Sequence, residues 1–195
     1  MPMNRFHRHL CRSRMWARAI ENELLPWALE DVRLGPDTLE IGPGYGATTR
    51  VLVRQVPHLS VVEIDAASVE GLRREFGGRA EVLHGDGAAL PLPDARFDSV
   101  ACFTMLHHVP SPDRQDALFA EAYRVLRPGG EFVGCDALTG WGFRLVHLGD
   151  TCVPVPPDTL AGRLRTAGFA DPEVTVGKGS FRFRARRSGP SEAGQ

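Results

Sequence analysis

A chain of 195 residues with 43% hydrophobic content is long enough to bury a full core and reads as one domain. Its 23 basic and 24 acidic residues leave a formal charge of -1, so no whole-protein field attracts nucleic acid or an anionic membrane, and the expected partner is a small molecule. Cys11, Cys102, Cys135 and Cys152 are widely spaced with no CxxC pair, which argues against a disulfide framework or a zinc knuckle and fits a reduced cytoplasm.

The N-terminus carries Arg5, Arg8, Arg12, Arg14 and Arg18 with no acid before Glu21, a charge bias shared with transit peptides. It lacks the apolar core of a secretory signal, and no stretch approaches the ~20 apolar residues of a membrane span, so it reads as mature protein without integral membrane association. Phe6, Leu10, Ala17, Ile20 and Leu24 fall near helical spacing, which predicts an amphipathic helix packed on the domain with its arginines in solvent. The apolar stripe is thin for attachment to a membrane surface. This segment, residues 1–35, is taken as part of a single domain over 1–187.

From residue 38 to about 168, short apolar runs alternate with helical patterns, the signature of a parallel sheet covered on both faces. Strands are expected at Thr38–Ile41, Leu59–Ile64, Ala80–His84, Phe97–Thr104 and Glu131–Asp136. The clearest helix runs from Pro112 to Leu126, with Ser111 as N-cap and Arg127-Pro128-Gly129-Gly130 as its stop. A last helix is expected over Asp158–Ala167, ended by Gly168. Glu173–Val176 and Phe181–Arg187, joined by Gly177-Lys178-Gly179, are expected to form an antiparallel pair. The alternation of Phe181, Phe183 and Ala185 with Arg182, Arg184 and Arg186 predicts an edge strand with a charged outer face in preference to a phosphate-binding stripe. Ser188–Gln195 is a polar tail expected to be disordered.

Leu39-Glu40-Ile41-Gly42-Pro43-Gly44-Tyr45-Gly46 is the most informative stretch, because glycines at alternate positions after an apolar run let a strand turn sharply and bring bare backbone close to a ligand. About twenty residues on, Val62-Glu63-Ile64-Asp65 places a carboxylate at the end of the next strand, where it can accept hydrogen bonds from a ribose diol. Glu40 stands two residues before the first glycine, where it would repel a nearby pyrophosphate; two such charges about 4 Å apart cost roughly 1 kcal/mol in water and several times that near a protein surface. The loop therefore favours a cationic ligand. Read alone, it also satisfies the dinucleotide pattern through Gly42, Gly44 and Ala47.

With Gly85-Asp86-Gly87, the stretch from Phe97-Asp98 through Thr104-Met105-Leu106-His107-His108, and Arg124-Val125-Leu126-Arg127-Pro128-Gly129-Gly130, these motifs resemble the class I S-adenosylmethionine-dependent methyltransferases, in order, from Thr38 to Arg187. The resemblance implies an α/β, Rossmann-like doubly wound, mostly parallel sheet of about seven strands with a C-terminal antiparallel strand pair. It implies S-adenosyl-L-methionine as cofactor, with Glu40, Gly42, Gly44, Tyr45 and Gly46 around the amino-acid end, Asp65 on the ribose, Asp86 and Gly87 at the adenine, and Thr104 beside them. The plain alternatives are a helix N-cap for Asp65 and a turn aspartate for Asp86.

Methyl transfer from a sulfonium rests on alignment and on removal of a proton from a neutral acceptor. His107 and His108, after the fourth strand, are the candidates for general base; the alternative is that they cap the turn or pack under the N-terminal helix. His7, His9, His58, His84 and His147 are weaker candidates. No metal is expected, because sequence neighbours rarely converge on one ion and no third ligand is evident. Phe103-Thr104-Met105-Leu106 is not the Asn-Pro-Pro-aromatic motif of nucleobase-amine methylation. Ala137–Pro156, with Trp141, Phe143, Leu145, Val146, Leu148 and Val153, is too long for an ordinary connection and is expected to wall the pocket around a small, apolar acceptor. The competing functions are an NAD(P)-dependent oxidoreductase and a non-catalytic S-adenosylmethionine-binding module. Oligomeric state is not set by the sequence.

Overall fold

The computed structural model describes residues 4–189 and arranges them around one seven-stranded sheet. Short helices α1 (Arg5–Cys11) and α2 (Arg14–Ala19) lead through a π turn at Ile20–Leu24 into α3 (Leu25–Ala28). The alternating part follows as β1 (Asp37–Ile41), α4 (Thr49–Leu52), β2 (His58–Glu63), α5 (Ala66–Phe76), β3 (Ala80–His84), β4 (Phe97–Phe103), α6 (Pro112–Val125) and β5 (Leu126–Ala137). The chain ends with α7 (Trp141–Val146), α8 (Pro157–Thr166), β6 (Ala170–Val176) and β7 (Ser180–Arg186).

The strand order is β3-β2-β1-β4-β5-β7-β6, with β1 paired in parallel to both β2 and β4, while β7 runs antiparallel to β5 and β6. The order reverses between β1 and β4, and open α/β sheets bind ligands outside the carboxyl ends of the strands at such a point. Alternation along each strand divides the core into two layers. Leu39, Ile41 and Val100 pack with Leu118 and Phe119 of α6, whereas Val61, Ala101 and Phe103 pack with Leu72 and Phe76 of α5.

The expected strands and both long helices are present within a few residues of their expected ends. Three expectations need correction. Arg127–Gly130 does not separate helix from strand: Leu126, the C-cap of α6, is already the first residue of β5. The arginine-bearing strand β7 is interior, between β5 and β6, and the edge is β6. Its arginines are answered across the face, Arg184 by Glu173, Arg186 by Glu131, and Arg182 by Glu30 and the Trp27 carbonyl. The true edge carries Pro172 and a register shift between Ala170 and Glu173, both of which discourage further strand pairing.

The N-terminal expectation is met only in its second half. Ile20, Leu25 and Ala28 are buried, but Phe6 is 64% exposed and the buried residue of α1 is His7. Hydrophobicity does not seat α1; polar bonds do. Asn4 caps it through the His7 amide and donates its side-chain amide to the carbonyls of Val146 and Leu148. The expected disordered tail lies, from residue 190 on, outside the described residues. Among the described residues no helix is long and apolar enough to cross a membrane.

Candidate active site

β1 ends in a turn in which Gly42, Gly44 and Gly46 have φ of +69°, +55° and +74°, a region that side chains disfavour. A Cβ at Gly42 or Gly46 would lie 2.7 Å from Met105 or Phe76, so these two glycines permit close packing behind the loop. A Cβ at Gly44 would meet nothing within 4 Å, and this residue presents bare backbone to open space.

Glu40 lies behind the loop. The residue is 1% exposed, and its carboxylate accepts hydrogen bonds from the hydroxyls of Thr48 and, at 2.7 Å, Thr49. Burial pushes this carboxyl up to about 7, with Glu63 adding to the shift and the two threonine hydroxyls opposing it. The acid that faces the cleft beside the glycines is Glu63, which accepts from the amides of Gly44 and Asp65, each at 2.9 Å. Glu63 was legible in principle, since it ends β2 two residues before Asp65.

Asp65 caps α5 by accepting from the Ser68 amide at 2.8 Å, and that bond holds its carboxyl below the usual range against the opposing effect of burial. One carboxylate oxygen of Asp86 accepts from the Ala88 amide at 2.8 Å and the other is paired with Arg114. The N-cap and turn roles proposed as alternatives are therefore real, and they orient both carboxylates at the strand ends. Thr104 has φ of +52°, unfavourable for a β-branched residue, and its amide donates to the Cys135 carbonyl at 2.8 Å. Such strain is characteristic of ligand sites.

One cleft of about 1810 Å3 runs along this edge. Gly42, Gly44, Tyr45, Asp65, Asp86, Gly87 and Thr104 line it; Glu40 and Gly46 do not. From the other side α1 and α2 close over it, with Arg12 stacked above the Tyr45 ring at 5.3 Å. The long connection after β5 contributes Phe143, Val146 and His147, while Trp141, Leu145 and Leu148 turn outward and are 94%, 72% and 74% exposed. α7 thus gives one narrow face to the cleft rather than its full apolar content.

The histidine end is built from distant residues. His107 is buried and gripped by Asp136, which accepts from its amide at 2.9 Å and from its ring Nδ1 at 2.5 Å. His107 Nε2 lies 3.0 Å from His147 Nε2. His108 bonds through Nδ1 to the Thr151 carbonyl, and burial, followed by its neighbouring imidazoles, pushes it down to about 3. His7 bonds through Nδ1 to Asp150 at 2.7 Å. Sequence reading singled out His107 and His108 but ranked His7 and His147 low and missed Asp136 and Asp150. Nothing in local pattern signals a partner 143 residues away.

The residues present fit a nucleoside with a cationic amino-acid tail, since the glycine cradle is open and Glu63 and Asp65 beside it accept from backbone amides, while Asp86 is paired with the half-exposed Arg114. The methyltransferase-domain family model matches residues 39–134. A ubiquinone/menaquinone biosynthesis C-methyltransferase, UbiE, of Methylobacterium nodulans is 32% identical over 191 residues, covering 80% of this chain and 73% of the relative. A fatty-acid O-methyltransferase of Mycolicibacterium smegmatis is 36% identical over 107 residues, 53% of this chain and 38% of the relative. An S-adenosylmethionine-dependent methyltransferase of Thermotoga maritima has the same fold, with a TM-score of 0.75 at 21% identity over 94% of this chain and 98% of its own. These matches set aside the NAD(P) reading of the glycine loop. Cleft, sheet order and relatives converge, and the chain belongs to the class I S-adenosylmethionine-dependent methyltransferases, with S-adenosylmethionine as its cofactor.

Proposed function

We propose that this enzyme methylates a small, substantially apolar organic acceptor, and that His107 takes the acceptor's proton. The observation that carries the reading is the His107–Asp136 pair opening onto a cleft wall that includes Phe143, whose ring centroid lies 5.2 Å from that of His107. One relative is named for ubiquinone/menaquinone biosynthesis and the other for fatty acids, small molecules with large apolar parts, which supports the same class.

S-adenosylmethionine, when bound, supplies a methyl group on a sulfonium that is already activated for displacement. The protein's task is then alignment, which in well-held reactants is worth roughly 7–11 kcal/mol. Asp65 and Asp86 would hold the cofactor's ribose hydroxyls and adenine amino group, with Gly42, Gly44, Tyr45, Gly87 and Thr104 shaping the walls. Glu40 and Gly46 support the loop from behind. Because His107 Nδ1–H is committed to Asp136, Nε2 carries the lone pair that accepts the proton, and Asp136 stabilises the imidazolium formed. His108, held near 3, is too weak a base at neutral pH and is given no part in proton transfer.

Incubation of the protein with methyl-labelled S-adenosylmethionine and a cell extract, followed by fractionation, tests the acceptor class. Label is expected in organic-extractable small molecules. Label confined to nucleic acid or protein would overturn it.

A further inference from the structure

We propose that His7, His108 and His147 bind one divalent transition-metal ion of the zinc type, pinning α1 and α7 over the histidine end of the cleft. The three side chains come from α1, the turn after β4 and the end of α7, yet one ring nitrogen of each lies within 4.8 Å of the others. The inference concerns binding by these residues and does not depend on which acceptor is methylated.

Hydrogen bonds fix the rings in the form that ligation needs. Nδ1 of His7 faces Asp150 at 2.7 Å, Nδ1 of His147 faces the Phe143 carbonyl at 2.7 Å, and Nδ1 of His108 faces the Thr151 carbonyl at 3.3 Å. Carbonyl and carboxylate oxygens only accept, so each Nδ1 carries the proton and each Nε2 is left with a lone pair. Metal-binding histidines are oriented by such partners, and the Asp150–His7 bond is of the carboxylate–histidine kind.

The contact between His147 Nε2 and His107 Nε2, at 3.0 Å, is a second and independent sign. Both rings have their Nδ1 protons committed, His147 to Phe143 and His107 to Asp136, so two lone pairs face each other. They repel unless a cation lies beside them. An all-imidazole set selects zinc, copper, nickel or cobalt over magnesium or calcium, which prefer oxygen. Asp150 stands behind the His7 ring and offsets part of the charge of the ion. Three nitrogens leave a fourth position for a further ligand.

The test uses the full chain without an affinity tag, freed of metal by chelator and titrated with Co(II), then with Zn(II) in competition. Saturable binding of one Co(II) per chain, with the strong visible bands of low-coordinate cobalt, is expected. His7→Ala and His147→Ala should each weaken it by at least about tenfold, and Asp150→Asn by roughly 10- to 100-fold. His58→Ala, at the exposed start of β2 and outside the cleft, should leave it unchanged. Adenosylhomocysteine affinity measured on the same samples reports folding and separates this proposal from the methyl-transfer reading. Absence of saturable Co(II) binding, or equal affinity in folded His7→Ala and His147→Ala, overturns the site. Should those two variants fail to bind adenosylhomocysteine, the wild-type spectrum and Asp150→Asn decide.

Discussion

At the glycine-loop end of the cleft, carboxylates are answered mostly by backbone amides two or three residues away: Asp65 by Ser68, Asp86 by Ala88, and Glu63 by Asp65, with Gly44 and Arg114 as the more distant partners of Glu63 and Asp86. At the histidine end, polar groups are answered by one another across the chain: His7 by Asp150, His107 by Asp136, and Asn4 by Val146 and Leu148. The first end is a set of local turns on a rigid sheet. The second is anchored on the sheet by His107 and Asp136 and is completed only when α1 and α7 have docked. Binding of a shared cofactor suits the first construction, and recognition of a particular acceptor suits the second.

The sharpest way to break this division is to remove chemistry from one end without disturbing the other. His107→Gln should lower kcat for the acceptor found by labelling by roughly 100- to 10,000-fold, or about 3–5 kcal/mol, the usual range for a lost general base. Adenosylhomocysteine affinity, measured by calorimetry, should stay at the wild-type value. Turnover near the wild-type rate would remove His107 from the chemistry.

The glycine-loop end makes the next largest prediction, through pH. Burial raises the Glu40 carboxyl from 4.5 to about 7 in the folded protein. Between those values the folded state holds a proton that the unfolded state has released, so this group's contribution is fully present below 4.5 and is lost as pH rises through about 7. The loss amounts to about 3 kcal/mol. Denaturant unfolding of the ligand-free protein across that window should show the slope, and Glu40→Gln should flatten it. An unchanged slope in the variant would show that the carboxyl is not the titrating group.

Glu40 also shows what was legible. Its position before the glycines pointed to the right cofactor, yet its side chain turns to Thr48 and Thr49 on the other face of β1, while Glu63 faces the cleft. Period-2 alternation assigns a residue to a face but does not say which face the loop opens on. The strands, α6, α8, Asp65 and Asp86 were readable because caps, glycines and periodicity are local signals. β7 was misplaced as an edge because the lateral order of strands is set by non-local pairing. His7 was unreadable as a buried residue because its partner Asp150 belongs to an irregular segment with no pattern of its own.

A smaller effect is expected at Asp65, whose carboxylate serves both the α5 N-cap and the proposed ribose contact. Asp65→Ala should cost about 1 kcal/mol of stability from the cap and about 1–3 kcal/mol of adenosylhomocysteine affinity. Asp65→Asn, which preserves capping, should retain most of the stability and lose part of the affinity. Equal affinity in both variants and wild type would detach Asp65 from the cofactor.

The smallest effect tests whether the histidine end is a docked construction. Asn4 supplies the α1 N-cap and two side-chain bonds to the carbonyls of Val146 and Leu148, so Asn4→Ala removes the polar seat of α1 while leaving His7 and Asp150 in place. The expected cost is about 1–2 kcal/mol, mostly from the cap, and local rather than global, because the buried core begins only at Ile20. Hydrogen exchange should therefore quicken in α1 and around α7 while β1, β2 and β4 keep their protection. The acceptor KM should rise by more than adenosylhomocysteine affinity falls, since α1 reaches the glycine loop through Arg12 above Tyr45 while His7 lies at the histidine end. Uniform loss of protection across the sheet would show instead that the two ends fold as one unit, and the division between them would fail.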